Sequence, residues 1–546
     1  YVAGPLTDTL SASFSVLHDE RDGFVEDPLD GEEYNDENTT VMRLKSVWRP
    51  NDRFEAVFSA DYTQEDVALT LGRAEAPLVS IDLADGSAVP RFVPSNDEWD
   101  FETSTSLGDR DGQETDHWGV NLTMAYDLSD TLTLKSITAY RDLESQLFID
   151  IDATTLELGD VFVGIDQDQF SQELQLLGNN GSNLNWVLGA YYLEESVPSY
   201  QEAYADDFLL FTGFPVSFLR TIEDDLQTKS YAVFGQVDWD ITDRWTAGLG
   251  IRYTYEEKEY ARSTSTFSDI LGNADPAFAF EDDDDWDAWT PTFTVGYTPS
   301  ENLNLYGRLA RGFKSGGFNG RANSADDVST FDPETVWSLE LGAKAVMLDG
   351  RLSANFAVFE SRYEDFQARV SVGDGVDFRF PVLNAAELDI SGVELEVTWL
   401  ATERLELAAQ VGYLDSEYGD GGFTGSDGVQ DDPAFTPEWT GRLAAAYNFA
   451  LPGGSTVRIG ADASYRDDMF LSVENVAALT EDSYWLVNAF AAWTSADTHW
   501  NVTAGVRNAT DELYRTEGQE FRSVGNIQTA YYGDPRTYSV SLNYRY

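Results

Sequence analysis

The sequence predicts an all-β chain folded as one large antiparallel transmembrane β-barrel of the 22-strand type, with about 20 complete strands countable. Three observations predict it. Apolar residues recur with a period of two over most of the length, each apolar row is capped by aromatics, and tight polar turns alternate with long acidic segments. The C-terminus shows the first two together. Tyr538, Val540, Leu542, Tyr544 and Tyr546 fall on one side, and Thr537, Ser539, Ser541, Asn543 and Arg545 on the other. Successive side chains of a strand point to opposite faces. A strand that is aliphatic towards lipid, aromatic at the interface and polar towards the lumen reads in this way.

The interior of the chain repeats the pattern. Tyr231, Val233, Gly235, Val237 and Trp239 form an apolar row opposite Ala232, Phe234, Gln236 and Asp238. After a turn at Ile241-Thr242-Asp243, Trp245, Ala247, Leu249, Ile251, Tyr253 and Tyr255 resume it opposite Thr246, Gly248, Gly250, Arg252 and Thr254. Trp239 and Trp245 bracket the turn at one height, where an aromatic girdle belongs. Similar turns are expected at Pro5–Asp8, Pro50–Asp52, Ser129-Asp130, Ser300–Asn302, Asp349-Gly350 and Leu451–Ser455. Long loops are expected over 20–38, 65–114, 150–167, 199–225, 263–285, 315–332, 419–436, 468–482 and 515–530. Short turns at one rim and long loops at the other describe a barrel in a bacterial outer membrane, the turns periplasmic and the loops extracellular. No linker or fixed-period repeat interrupts the array, so residues 1–546 read as one domain.

Composition narrows the function. With 34 basic and 97 acidic residues the net charge is −63, which opposes nucleic acid as a partner. Aromatics make up 13%, too many for a disordered acidic chain. A mean hydropathy of −0.34 and the lack of long apolar runs exclude membrane-spanning helices but leave strands open. There is no cysteine, which removes disulfides, thiol chemistry and Cys-ligated metals. An acidic secreted β-sandwich or propeller would also alternate. Its second row would not carry Asn121, Arg252, Arg308, Glu394 and Glu396 opposite an aromatic-capped one.

Catalysis finds little support. His18, His117 and His499 are scattered, with no nucleophile–base order or zinc spacing around them, so no catalytic residue, metal ligand or cofactor is expected. His18 and His117 stand near the predicted extracellular rim, where a haem ligand could sit. Glu281-Asp282-Asp283-Asp284-Asp285-Trp286 offers carboxylates to Ca²⁺ but lacks the spacing of a dedicated calcium loop. A solvated loop is the simpler account. Phe208–Pro215 is unusually apolar for a loop, and packing against other loops explains it best.

Several blocks resemble TonB-dependent outer-membrane receptors. They are Tyr1–Leu10, the run Leu305–Asn319 containing Gly312-Phe313-Lys314-Ser315-Gly316-Gly317, Asn384–Glu396, Val506–Tyr514, and Gly533–Tyr538 with the terminal strand. The resemblance implies TonB-dependent import of a scarce, bulky nutrient, with a ferric siderophore as the default. Cobalamin, haem, oligosaccharides, aromatic compounds and passive porin function remain alternatives. It also implies TonB and its inner-membrane energising complex as partners, reached through a plug, alongside outer-membrane lipid and lipopolysaccharide. The plug, the TonB box and the first strand of the family pattern have no counterpart here, so the expectation is the barrel portion of a longer protein. Substrate contacts are expected at Arg311, Phe313, Lys314, Phe318, Arg321 and Trp286. There, scarce cations meet aromatic faces suited to an anionic, partly aromatic chelate.

Overall fold

The structure, a computed structural model, describes residues 1–546 except 96–97, 109–111, 212–213, 216, 269–271, 323–324, 326–327, 370–371, 375–376, 380, 420–422, 426–427 and 431. Among the described residues, twenty-one strands form one sheet, and every pairing between consecutive barrel strands is antiparallel, from Val2–Pro5 against Leu10–Arg21 to Trp500–Arg507 against Thr537–Tyr544. The meander follows from the turns. Each of the seven turn sites read from sequence lies at a junction between paired strands, including those after Asn51, Ser129, Asp240, Ser300 and Ala450. At Leu348-Asp349-Gly350 all three residues take positive φ, 54°, 56° and 86°. A short aspartate and a glycine tolerate that conformation in a tight hairpin.

Alternation sets the two faces. Val233, Leu249 and Leu443 face outward at 58%, 62% and 58% exposure. A large apolar wall of this kind marks an interface with another apolar phase, here lipid. Two aromatic belts bound it. Trp245 stacks on Tyr297 at 4.4 Å near the short turns, and Tyr253 meets Trp289 at 4.8 Å farther up the same two strands. Trp245 to Tyr253 is eight residues, as are Trp289 to Tyr297, Trp439 to Tyr447 and Trp485 to Trp493. Eight residues span roughly 26 Å along a strand, or about 20 Å of height once tilted, which approaches the roughly 25 Å apolar band of outer-membrane barrels.

Above the upper belt the strands keep going, and the loop boundaries differ from those expected. Trp245–Ser268 and Gly272–Ser300 pair far beyond the 9–11 residues a bilayer requires. The expected loop 263–285 is therefore mostly strand, and Glu281–Asp285 lies opposite Glu257–Ala261 in the ladder. Backbone pairing persists because water solvates both faces of a strand above the membrane. The loops at 150–167 and 199–225 shrink similarly, since strands begin at Asp160 and Phe218.

The densest core is in the loops. Leu78, Ile151, Leu158, Phe208, Leu209 and Ile527 form one buried cluster, Val25, Leu69, Leu71 and Trp99 a second, and Leu471, Leu479 and Ala530 a third. Burial of each leucine contributes about 1.5–3 kcal/mol, enough to make these loops a packed cap. Phe208–Leu210 does pack against other loops. Of the rest of that apolar segment, Thr212 and Gly213 lie outside the described residues.

Candidate functional site

Even-numbered residues of Trp245–Ser268 face inward, opposite Leu249, Ile251 and Tyr253, and so bring Lys258, Tyr260 and Arg262 to the inner wall of the mouth. Arg262 is buried and donates through Nη1 to both carboxylate oxygens of Asp224, at 2.7 and 2.8 Å. The Tyr260 hydroxyl donates to Asp224 Oδ1 at 2.6 Å. The Arg262 Nε donates to the Ala322 carbonyl at 2.6 Å, and Lys258 Nζ to the Gly316 carbonyl at 2.8 Å. The loop after Leu303–Lys314 is thereby bound to the barrel wall at two points. Phe318 completes the attachment by stacking on Tyr260 at 5.6 Å and meeting Trp286 edge-on at 6.0 Å. Gly316 is required in that arrangement, because a Cβ there would run into the Trp286 indole.

This anchoring presents Arg321 at an inward-facing pocket of about 410 Å³, within the range of small-molecule sites. Its wall also holds Arg220, Arg262 and Arg369, carried by three different strands. Arg369 lies 5.7 Å from the Phe521 ring and Arg220 5.8 Å from the Phe218 ring. Val161, Val163, Ile149 and Tyr204 supply apolar surface, and Glu202 and Glu517 are the carboxylates in the lining. Arg321 is open to solvent on one side and enclosed by protein on the others. That enclosure, with the charges of Arg369 and Arg262, lowers its guanidinium to about 10. It stays protonated at neutral pH. With Arg262 offset by Asp224, the three arginines Arg220, Arg321 and Arg369 outnumber the carboxylates Glu202 and Glu517 around an aromatic-flanked cavity, a local positive excess in a chain of net charge −63. A larger recess of about 860 Å³ is walled by Glu144, Asp166, Glu223 and Glu281, which disfavours such a ligand.

The six residues expected from sequence fall into three groups. Phe318 and Trp286 are in contact, and Arg321 stands in the pocket wall. Lys314 is on the inward row of its strand. Arg311 and Phe313 share the row of Leu305 and Leu309, which are outward-facing, and Arg311 lies opposite Trp337. Lys258, Arg220, Arg262 and Arg369 were missed by sequence reading. Strand parity, applied strictly, separates Arg311 from the interior and marks Arg220, Lys258 and Arg262 as inward; nothing local marks Arg369 as their neighbour.

Comparison with known proteins was consistent with this architecture. The family model described as "TonB dependent receptor-like, beta-barrel" matches residues 34–509. The pesticin receptor of Yersinia enterocolitica is 23% identical over 409 residues, covering 73% of this chain and 53% of that protein. The probable TonB-dependent siderophore receptor PiuA of Acinetobacter baumannii is 24% identical over 307 residues, covering 54% of this chain and 38% of its own length. The chain thus spans about half the length, or less, of these curated relatives. Among solved structures, the ferric yersiniabactin uptake receptor FyuA from Yersinia pestis superposes with a TM-score of 0.80 at 19% identity, over 99% of this chain and 76% of that one. The ferric-catecholate import receptor Fiu from E. coli gives 0.72 at 16%, over 100% and 78%.

Proposed function

Since the chain belongs to the TonB-dependent receptor β-barrel family, whose members are transport receptors of the outer membrane, we propose that it captures an anionic ferric siderophore for TonB-dependent import. The observation that carries the ligand class is the grouping of Arg220, Arg321 and Arg369 with Phe218 and Phe521 around one cavity. Guanidinium groups give charge-assisted, often bidentate hydrogen bonds to carboxylate or catecholate oxygens. Aromatic rings offer their faces to the organic part of a chelate. Arg262 is engaged with Asp224, so its role here is to hold the loop that carries Arg321. The named relatives include receptors for siderophores of several chemistries, which supports the ligand class without choosing among its members. Energised release would require TonB, acting through a plug inside the barrel.

Binding tests the ligand assignment. Purified full-length protein is titrated with a ferric catecholate chelate while tryptophan fluorescence is followed. The double variant Arg321→Gln/Arg369→Gln should bind at least about tenfold more weakly, since hydrogen bonds to charged groups contribute about 1.5–3 kcal/mol each. Arg311→Gln, on the outward row, should leave affinity unchanged. Equal loss from both changes would remove the pocket from the account.

A further inference from the structure

Beside this pocket, and not used by it, lies a dry cluster of three carboxylates. Asp150, Asp152 and Asp160 are each 0% exposed, and one oxygen from each lies within 4.8 Å of the others. Some of their oxygens are satisfied. Asp150 Oδ1 accepts the backbone N–H groups of Asp152 and Ala153, at 3.1 and 2.7 Å. Asp152 accepts the Thr154 hydroxyl and the Leu158 N–H, and Asp160 Oδ2 accepts the Ser106 hydroxyl. Among the described residues, Asp150 Oδ2 and Asp160 Oδ1 are buried with no partner at hydrogen-bonding geometry. Among the described residues, the charges that bear most on Asp160 are the carboxylates of Asp150, Asp152 and Glu157.

An isolated buried carboxylate is costly, and three within touching distance repel as well. Two arrangements resolve this: protons on the oxygens or a cation among them. We propose that Asp150, Asp152 and Asp160 form a calcium site that fastens the extracellular cap. The ligand set is all hard oxygen, without histidine or cysteine, which suits Ca²⁺ or Mg²⁺ over transition metals. Calcium is favoured because Mg²⁺ gives up its waters reluctantly, whereas these donors are already withdrawn from solvent. The hydroxyls of Thr105 and Ser106 flank the carboxylates and can add to the coordination. The acidic run at Glu281–Asp285, by contrast, is exposed strand.

Placement gives the site a consequence. The Ile151 carbonyl accepts the Thr529 hydroxyl at 2.6 Å, and the Ala153 carbonyl accepts the Thr103 hydroxyl at 3.0 Å. Ile151 and Leu158 pack with Leu78, Phe208 and Ile527. Ile151 and Gly159 also line the arginine pocket. A cation held by the three aspartates thus fixes one wall of that pocket and joins four loops. This inference does not depend on the identity of the transported ligand.

The test uses full-length protein in detergent, stripped with EGTA and titrated with calcium alone. Terbium luminescence, sensitised by nearby aromatics, serves as a second readout. One tight site per chain should stand above weak binding by the acidic surface. Asp160→Asn should weaken it at least about 10- to 100-fold, the range for loss of a group that merely supports a ligand and so a floor for a ligand itself. Asp150→Asn provides an independent check, and Asp283→Asn/Asp284→Asn should leave the tight site intact. Protease resistance of the loops discriminates further. Calcium should protect the wild type but not Asp160→Asn, and in EGTA the variant should be at least as resistant, because repulsion is relieved. Absence of a tight site in the wild type, or its survival in both single variants, would overturn the proposal in favour of protonated carboxylates.

Discussion

Leu395 and Glu396 are neighbours in sequence and occupy different solvents. Leu395 shares the outward row with Val393 and Trp399, and four residues separate it from Trp399, half the interval between the two aromatic belts. Glu396 is on the inward row, where Asn355 Nδ2 lies 3.4 Å from its Oε2. An arginine at the midplane of a lipid-facing row costs about 2–4 kcal/mol. Leu395→Arg should therefore shift the urea unfolding midpoint of the lipid-reconstituted protein by that amount, while Glu396→Gln should leave it near the wild-type value. Equal shifts would mean that the two rows are misassigned. The same scale distinguishes the arginines. Arg262 is 2% exposed in its side chain and faces Asp224 at 9%, and removal of one partner of such a buried pair costs about 3–5 kcal/mol. Arg262→Met should make the segment around Gly316–Ala322 protease-sensitive, whereas Arg321→Gln should alter ligand affinity and leave cleavage unchanged.

At the scale of elements, strands and short turns were legible because their signals are local. A period of two and an Asp-Gly pair can be read within ten residues. The cap was not legible, because its contacts join distant loops. Arg515 reaches Glu75 at 3.2 Å, and Thr529 bonds Ile151. Phe208–Leu210 gave the one local hint, as an apolar run in a polar loop. The proposed ligand pocket falls between these cases: Arg220, Arg262 and Arg369 lie on three strands, whereas adjacency in sequence pointed to Arg311 and Phe313. The cap also carries a pH response. Glu520, beside Arg522, Glu474 and Arg369, is pushed up to about 7 chiefly by burial. Glu481, beside Arg515, Asp482 and Glu512, is raised to about 7 for the same reason. The folded cap holds protons between the ordinary value of 4.5 and about 7 that the unfolded chain has released. Their stabilisation is complete below that window and lost as pH rises through 7. Protection factors for amides of 515–532, corrected for intrinsic exchange, should be higher at pH 5 than at pH 8. The opposite order would show that both carboxylates are charged in the folded cap.

The whole molecule joins three regions with different physics. Its outer wall is apolar between two aromatic belts, its mouth concentrates arginines within a chain of net charge −63, and its cap holds the largest share of buried leucines. Membrane residence follows from the first, and the folded protein should migrate faster on gels unboiled than boiled. The proposed import rests on the second. The most direct measurement is uptake of ⁵⁵Fe, presented as an anionic ferric siderophore, by cells carrying the full-length receptor. Uptake should require TonB and fall at least about tenfold at subsaturating chelate in Arg321→Gln/Arg369→Gln cells with equal surface protein. Uptake that persists without TonB, or that is indifferent to both arginines, would contradict the account.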